Sequence, residues 1–145
     1  MIYKKSSEEI ALMRKGGVIL TDTFRRLEAA LHPGVSTAEL DAIAEESIEG
    51  AGARPSFKGY RGFPGSICSS PNEVIVHGIP SPDVILEDGD IVSLDVGVLF
   101  DGFHVDSAWT FPVGSVDPQT SELLKVTEQS LEAAITQCRP GNRLG

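Results

Sequence analysis

Apolar residues in the opening segment recur at alternating steps of three and four. Ile10, Met13, Gly17, Leu20, Phe24, Leu27 and Leu31 form one stripe, which predicts an amphipathic helix. Ser6 with Glu9 offers a capping box at its start, and His32-Pro33-Gly34 ends it. A second helix begins near Ser36 or Thr37, turns Leu40, Ile43, Ala44 and Ile48 inward, and closes at Gly50 and Gly52. Residues 53–72 lose this period. The run Arg54 to Gly65 is rich in Gly, Pro and aromatics, and a simple linker would not carry Phe57, Tyr60 and Phe63, so it reads as a shaped loop. Ile67 and Cys68, then Val74, Ile75 and Val76, predict short strands around a Ser69–Asn72 turn. Near the end, Asp117 and Pro118 supply an N-cap and a first helical residue for a last helix with Leu123, Leu124, Leu131, Ala134 and Ile135 as its apolar positions.

The strongest strand signal runs from Asp90 to Phe111. Asp101-Gly102 lies in its middle, a pair that favours a two-residue hairpin turn. That turn sets the register: Phe100 faces Phe103, Leu99 faces His104, Gly97 faces Asp106 and Asp95 faces Ala108. Side chains alternate along a strand. One face then carries Val92, Leu94, Val96, Val98, Val105, Ser107, Trp109 and Phe111, and belongs in a core. The other carries Ser93, Asp95, Gly97, His104, Asp106 and Ala108.

Asp95 and Asp106 are diagonal neighbours on that second face, with backbones roughly 7–8 Å apart. Two carboxylates so placed can converge on a divalent cation, and Gly97 and Ala108 leave it room. Without a cation they repel, and one is pushed to hold a proton. The competing reading is a solvated sheet face with two aspartates by chance. His104 shares the face and is a candidate ligand on geometry, although a His beside a turn more often faces solvent. His77 follows the apolar Val74–Val76 run; alone it would be structural, and only the carboxylate pair and aromatic loop give it weight. Asp83, Asp88, Asp90 and Asp101 read as turn residues.

Composition narrows the classes. A net charge of −9 disfavours a nucleic-acid partner and suits cations or a protonated amine. No stretch approaches the ~18 uninterrupted apolar residues of a membrane span. The lysines at the N-terminus are followed by no apolar h-region, so no signal peptide is expected. Cys68 and Cys138, far apart and outside any CxxC, make a weak case for a disulfide and fit a reducing cytoplasm. The chain reads as a single domain, 1–145. Leu27-Glu28-Ala29-Ala30-Leu31 before Pro33-Gly34 is echoed by Leu131-Glu132-Ala133-Ala134-Ile135 before Pro140-Gly141. Either Ala-rich helices coincide, or a duplicated unit is starting again.

Three separated motifs carry a resemblance. Asn72-Glu73-Val74-Ile75-Val76-His77-Gly78-Ile79-Pro80 resembles the His-Gly-Ile-Pro segment of type I methionine aminopeptidases. Asp88 to Gly97, followed by Asp101 to Ala108, resembles their first metal-ligand strands. Gly59 to Cys68 resembles the loop that shapes their methionine pocket.

The resemblance implies an α+β pita-bread fold, with two pseudo-symmetric halves around a mainly antiparallel sheet, of which this chain would be the N-terminal half. It implies a metalloaminopeptidase that removes the initiator methionine, with two divalent metal ions (Mn, Fe, Co or Zn), and a peptide or nascent-protein N-terminus, met at the ribosome in the cytoplasm, as partner. Asp95 would bind one metal through both oxygens and Asp106 would bridge both. His77 would hydrogen-bond the scissile region, and Tyr60, Phe63 and Cys68 would line an apolar slot suited to a thioether. His104 falls at a position that is not a ligand in the family. The family's remaining ligands would follow Gly145, so the chain is expected to be a catalytically incomplete fragment. Two readings compete: a pita-bread relative that serves only as a binding module, and a same-fold Xaa-Pro peptidase.

Overall fold

The computed structural model describes residues 3–143. Met1, Ile2, Leu144 and Gly145, the outer ends of the expected 1–145 domain, lie outside them.

Helix α1 spans Ser7–Ala30 and α2 spans Thr37–Gly50. Both begin in reciprocal capping boxes. Ser6 Oγ accepts the Glu9 amide at 3.2 Å while the Ser6 amide donates to Glu9 at 2.7 Å. Ser36 and Glu39 repeat this at 3.2 and 2.8 Å, which places the cap of α2 at Ser36. Strand β1 is the short pair Arg54–Pro55, β2 is Ile67–Pro71, β3 is Ile91–Phe100 and β4 is Phe103–Pro112. A last helix, α3, covers Pro118–Thr136, with Asp117 accepting the amides of Gln119 and Thr120 at 2.8 and 3.0 Å.

All pairings are antiparallel and β3 is central. β4 runs along one edge of it for its whole length, while β2 and then β1 share the other edge. The Asp101-Gly102 turn has both residues at positive φ, 46° and 84°, as the two-residue hairpin requires. The register is the expected one: Gly97 opposite Asp106, Asp95 opposite Ala108, Leu99 opposite His104.

The helices cover the apolar face of the sheet. α1 packs on β3 and β4, α2 packs on β1 and β2, and the helices pack on each other. Leu27, Leu40, Ile48, Ile67, Leu94, Val96 and Val98 are fully buried between the layers. Asp95 and Asp106 therefore project from the side of the hairpin opposite α1 and α2.

Four sequence expectations shift. The helix stripe passes through Gly16 and not Gly17: a Cβ on Gly16 would meet Val105 at 3.1 Å, whereas one on Gly17 would meet nothing. Val74–Val76 form no strand. Ser69, Ser70 and Pro71 continue β2, the chain turns at Asn72 (φ 48°), and the apolar triplet is exposed, Ile75 by 85%. Ser107 and Trp109 point to the helix side but remain exposed, because β4 is an edge strand that the helices cover only in part. Finally, α3 has no buried residue. Leu123, Leu131 and Ile135 are exposed, and an open groove separates the helix from β4. Both cysteines are free.

Candidate active site

The sheet face carrying the aspartates forms the floor of a cavity of about 540 Å³. Asp95 and Asp106 line it together with His77 and with Tyr60, Phe63 and Cys68, so the six residues that the family resemblance puts at the site open into one space. His104 does not join it. Its Nδ1 lies 2.9 Å from Ser56 Oγ, which ties β4 to the chain beside β1. Phe57 and Ile79 also line the cavity and were not singled out by the sequence reading, although Phe57 is one of the three aromatics of the shaped loop.

Each wall has a local cause. Cys68 lies opposite Asp95 in the β2–β3 pairing, so its thiol shares the face of the carboxylates. The loop from Phe57 to Gly65 folds over the floor through a 3₁₀ turn at Tyr60–Gly62 and closes on itself where the Gly59 amide donates to Phe63 O at 2.8 Å. Gly97, opposite Asp106, lets that loop approach, since a Cβ there would stand 2.7 Å from Phe57 Cε1. The His77 segment is pressed against the free edge of β2. The Gly78 amide donates to Ser70 Oγ at 3.0 Å and the Ser69 amide donates to Gly78 O at 3.0 Å. A Cβ on Gly78 would lie 2.0 Å from Ser69 O, so only glycine allows this contact. Pro80 packs close to Gly65, 2.9 Å from where a Cβ would stand, and so joins the His77 segment to the loop. His77 itself has φ 59°, a left-handed backbone that costs a non-glycine residue energy and that is held by the contacts on either side.

The electrostatics single out the carboxylate pair. Burial, and then the charge of Asp106, push Asp95 up to about 6; His77 offsets this in part. Asp95 Oδ1 is buried and has no hydrogen-bond partner. A buried acceptor without a donor costs about 1–3 kcal/mol. A divalent cation between the two carboxylates would satisfy that oxygen and remove the repulsion together, so the residues present fit one. Among the described residues, no group of three or more His, Cys, Asp or Glu gathers at one point, so the pair has no third ligand among them. Burial, followed by the charges of Asp95, Asp106 and Asp41, raises the Cys68 thiol to about 11. At neutral pH it is a protonated, weakly polar lining group and not a nucleophile.

The chain is similar to known proteins over almost its whole length. Methionine aminopeptidase 1 of Bacillus subtilis is 51% identical over 144 residues, which is 99% of this chain and 58% of that protein. The crystal structure of methionine aminopeptidase from Thermotoga maritima superposes on all of the chain with a TM-score of 0.97 at 37% identity, again over 58% of the longer protein. Aminopeptidase P of Escherichia coli matches 94% of the chain with a TM-score of 0.81 at 26% identity. The chain thus spans little more than half the length of these methionine aminopeptidases. The architecture they share is the α+β pita-bread fold. The model of metallopeptidase family M24 matches residues 11–145, a stretch that holds the whole hairpin, the His77 segment and the aromatic loop. The chain belongs to metallopeptidase family M24.

Proposed function

We propose that this chain contributes one half of a methionine aminopeptidase site that removes the initiator methionine from peptides and nascent proteins in the cytoplasm, as they leave the ribosome. The observation that carries the reading is the meeting, in one cavity, of a carboxylate pair, an imidazole and an apolar slot. Residues 1–145 would form a single domain, the first of two pseudo-symmetric halves. Asp95 and Asp106 would be this chain's ligands to two divalent cations, with Mn, Fe, Co or Zn all compatible with oxygen ligands. The chemistry supplied there is Lewis acidity toward the scissile carbonyl and water.

The chain's own groups do the rest. Phe63, Phe57 and one face of Tyr60 receive an unbranched apolar side chain, and the protonated thiol of Cys68 adds a soft, polarisable contact for sulfur. His77, fixed by its neighbours against β2, offers a ring nitrogen to the peptide at the scissile region. The acidic floor draws in the substrate's terminal ammonium. The lower likeness to aminopeptidase P makes an Xaa-Pro peptidase the weaker reading, and the intact Asp95–Asp106 pair speaks against a binding module that has lost its metal.

A chimera tests this. Residues 3–143 replace the matching part of the Bacillus subtilis relative, and methionine release from Met-Ala peptides is measured with added Mn²⁺. Activity is expected in the chimera, with a drop of roughly 100-fold or more on Asp95→Asn. A folded chimera that releases proline-adjacent residues and spares Met-Ala would overturn the assignment.

A further inference from the structure

We propose that Asp41 and Glu45 of α2 are positioning residues for the side-chain pocket: they tie both ends of the Phe57–Gly65 loop to the helix and thereby fix the width of the apolar slot. The inference rests on the reading of that slot as the seat of the substrate's first side chain.

The two acids stand one helical turn apart, so they share a face of α2. Asp41 Oδ1 accepts the amides of both Ser66 and Ile67, at 2.7 and 2.9 Å. Glu45 Oε2 accepts the Ser66 hydroxyl at 3.1 Å, while its other oxygen pairs with the Lys58 ammonium. Lys58 is the second residue of the loop and Ser66 follows its last. Between these two ties lie Tyr60, Arg61, Gly62, Phe63 and Pro64, each of them a cavity wall.

The loop does not hold this shape by backbone preference. Gly59, Arg61 and Gly62 have φ of 80°, 50° and 85°, and the left-handed Arg61 is strained. Inside the loop, one turn of 3₁₀ helix and the Gly59–Phe63 hydrogen bond supply the regular structure. An outside anchor is needed, and the carboxylates of α2 provide it through charge-assisted hydrogen bonds to a fully buried Ser66. Burial raises Asp41 from its ordinary value; the Ile67 and Ser66 amides pull it back, the Glu45 charge raises it further and Lys58 lowers it. Asp41 touches no reacting group, so its role is placement.

The test is a titration of the ¹⁵N-labelled 145-residue chain with L-methionine amide and with glycine amide. The ratio of the two affinities isolates the side-chain slot from the amine site. Asp41→Ala is expected to reduce that ratio about tenfold, as for a loop in its binding shape one-tenth of the time. Hydrogen exchange at the Ser66 and Ile67 amides should quicken in parallel. Asp41→Asn keeps an acceptor oxygen and should restore most of the ratio. If Asp41→Ala does not fold, Glu45→Ala carries the test at the more exposed tie, with a loss of about threefold expected on the same reasoning. A wild-type chain that binds both amides equally sinks the pocket reading itself. A wild-type chain that discriminates, with variants that discriminate as well or that lose both amides in proportion, sinks the positioning role alone.

Discussion

Asp95 and Asp106 are diagonal neighbours across the β3–β4 hairpin, two residues out of direct register, with Ala108 opposite the first and Gly97 opposite the second. The smallest two side chains in the sequence alphabet thus sit directly across from the two acids. The space over Gly97 is taken by Phe57 and Ser56, which roof a floor that carries two carboxylates, one of them with a buried oxygen that has no donor.

The stability of the cation-free chain should therefore depend on pH in a particular direction. Asp95 is raised from 3.8 to about 6 in the fold. The folded state holds that proton more tightly than the unfolded chain does, so this contribution is fully present below about 4 and is lost as pH rises through about 6. In EDTA, the Asp95 contribution to Tm should fall across this window. Asp95→Asn carries no such titration, so its Tm should drop less between pH 4 and 6.5. Parallel curves for the two proteins would show that the pair is not coupled.

Two glycines beside the site should differ in what they tolerate. At Gly78 a methyl group would stand 2.0 Å from the Ser69 carbonyl oxygen, a backbone atom that moves only with β2. At Gly97 the nearest atoms are side-chain carbons of Phe57 and Ser56, at 2.7 and 2.8 Å. Gly78→Ala is expected to cost about 3 kcal/mol, and Gly97→Ala nearer 1 kcal/mol with a displaced Phe57. Urea denaturation of both variants checks the order. Equal costs would mean that the His77 segment is looser than its contacts suggest.

The parts of this architecture that were legible in the sequence are those set by local chemistry. Asp101-Gly102 admits few turn types, so it fixes the hairpin register and with it the face of every residue from Val92 to Phe111. The Ser6–Glu9 box and the Asp117-Pro118 start are equally local. What escaped depends on distant segments. Gly16 and Gly17 are equivalent in a helical period read by eye, and only the approach of Val105 chooses between them. Val74–Val76 have strand composition, but Gly78 hydrogen-bonds back to Ser69 and Ser70 and bends the segment into a loop. The tie from Asp41 to Ser66 joins residues far apart in sequence that carry no motif.

His77 illustrates a cost accepted for placement. Its left-handed backbone, φ 59°, suits glycine better than any β-carbon-bearing residue. His77→Gly should therefore be at least as stable as the parent, and His77→Ala less stable than His77→Gly by about 1 kcal/mol. Both should be deficient in the chimera's methionine release. The comparison of thermal midpoints separates backbone strain from loss of the imidazole. A glycine variant less stable than the alanine one would show that the conformation at 77 relaxes when the ring is removed.

The two apolar faces should respond oppositely to substitution. Leu27 is fully buried between the helices and the sheet, whereas Leu131 on α3 is 52% exposed across an open groove. Leu27→Ala is expected to cost about 2–5 kcal/mol. Leu131→Glu should change stability by less than about 0.5 kcal/mol, as a surface substitution does. Chemical denaturation monitored at low protein concentration compares them. A large loss in Leu131→Glu would mean that α3 packs more tightly than the groove beside it indicates.

Cation binding gives the sharpest expectation. Two carboxylates without a third ligand from the described residues should hold Mn²⁺ only weakly, with Kd on the order of millimolar. At ten times that concentration, binding to the folded chain alone would add roughly 1.4 kcal/mol of stability. The gain should be larger at pH 7 than at pH 5, because near pH 5 the ion must displace the proton that Asp95 still holds. Either Asp95→Asn or Asp106→Asn should abolish it, since each leaves a single carboxylate. Such weak, incomplete ligation also predicts that the 145-residue chain by itself releases no methionine from Met-Ala peptides. Calorimetric titration with Mn²⁺ and a coupled assay for free methionine measure the two sides. Micromolar affinity that survives either substitution would place the cation somewhere other than the β3–β4 face.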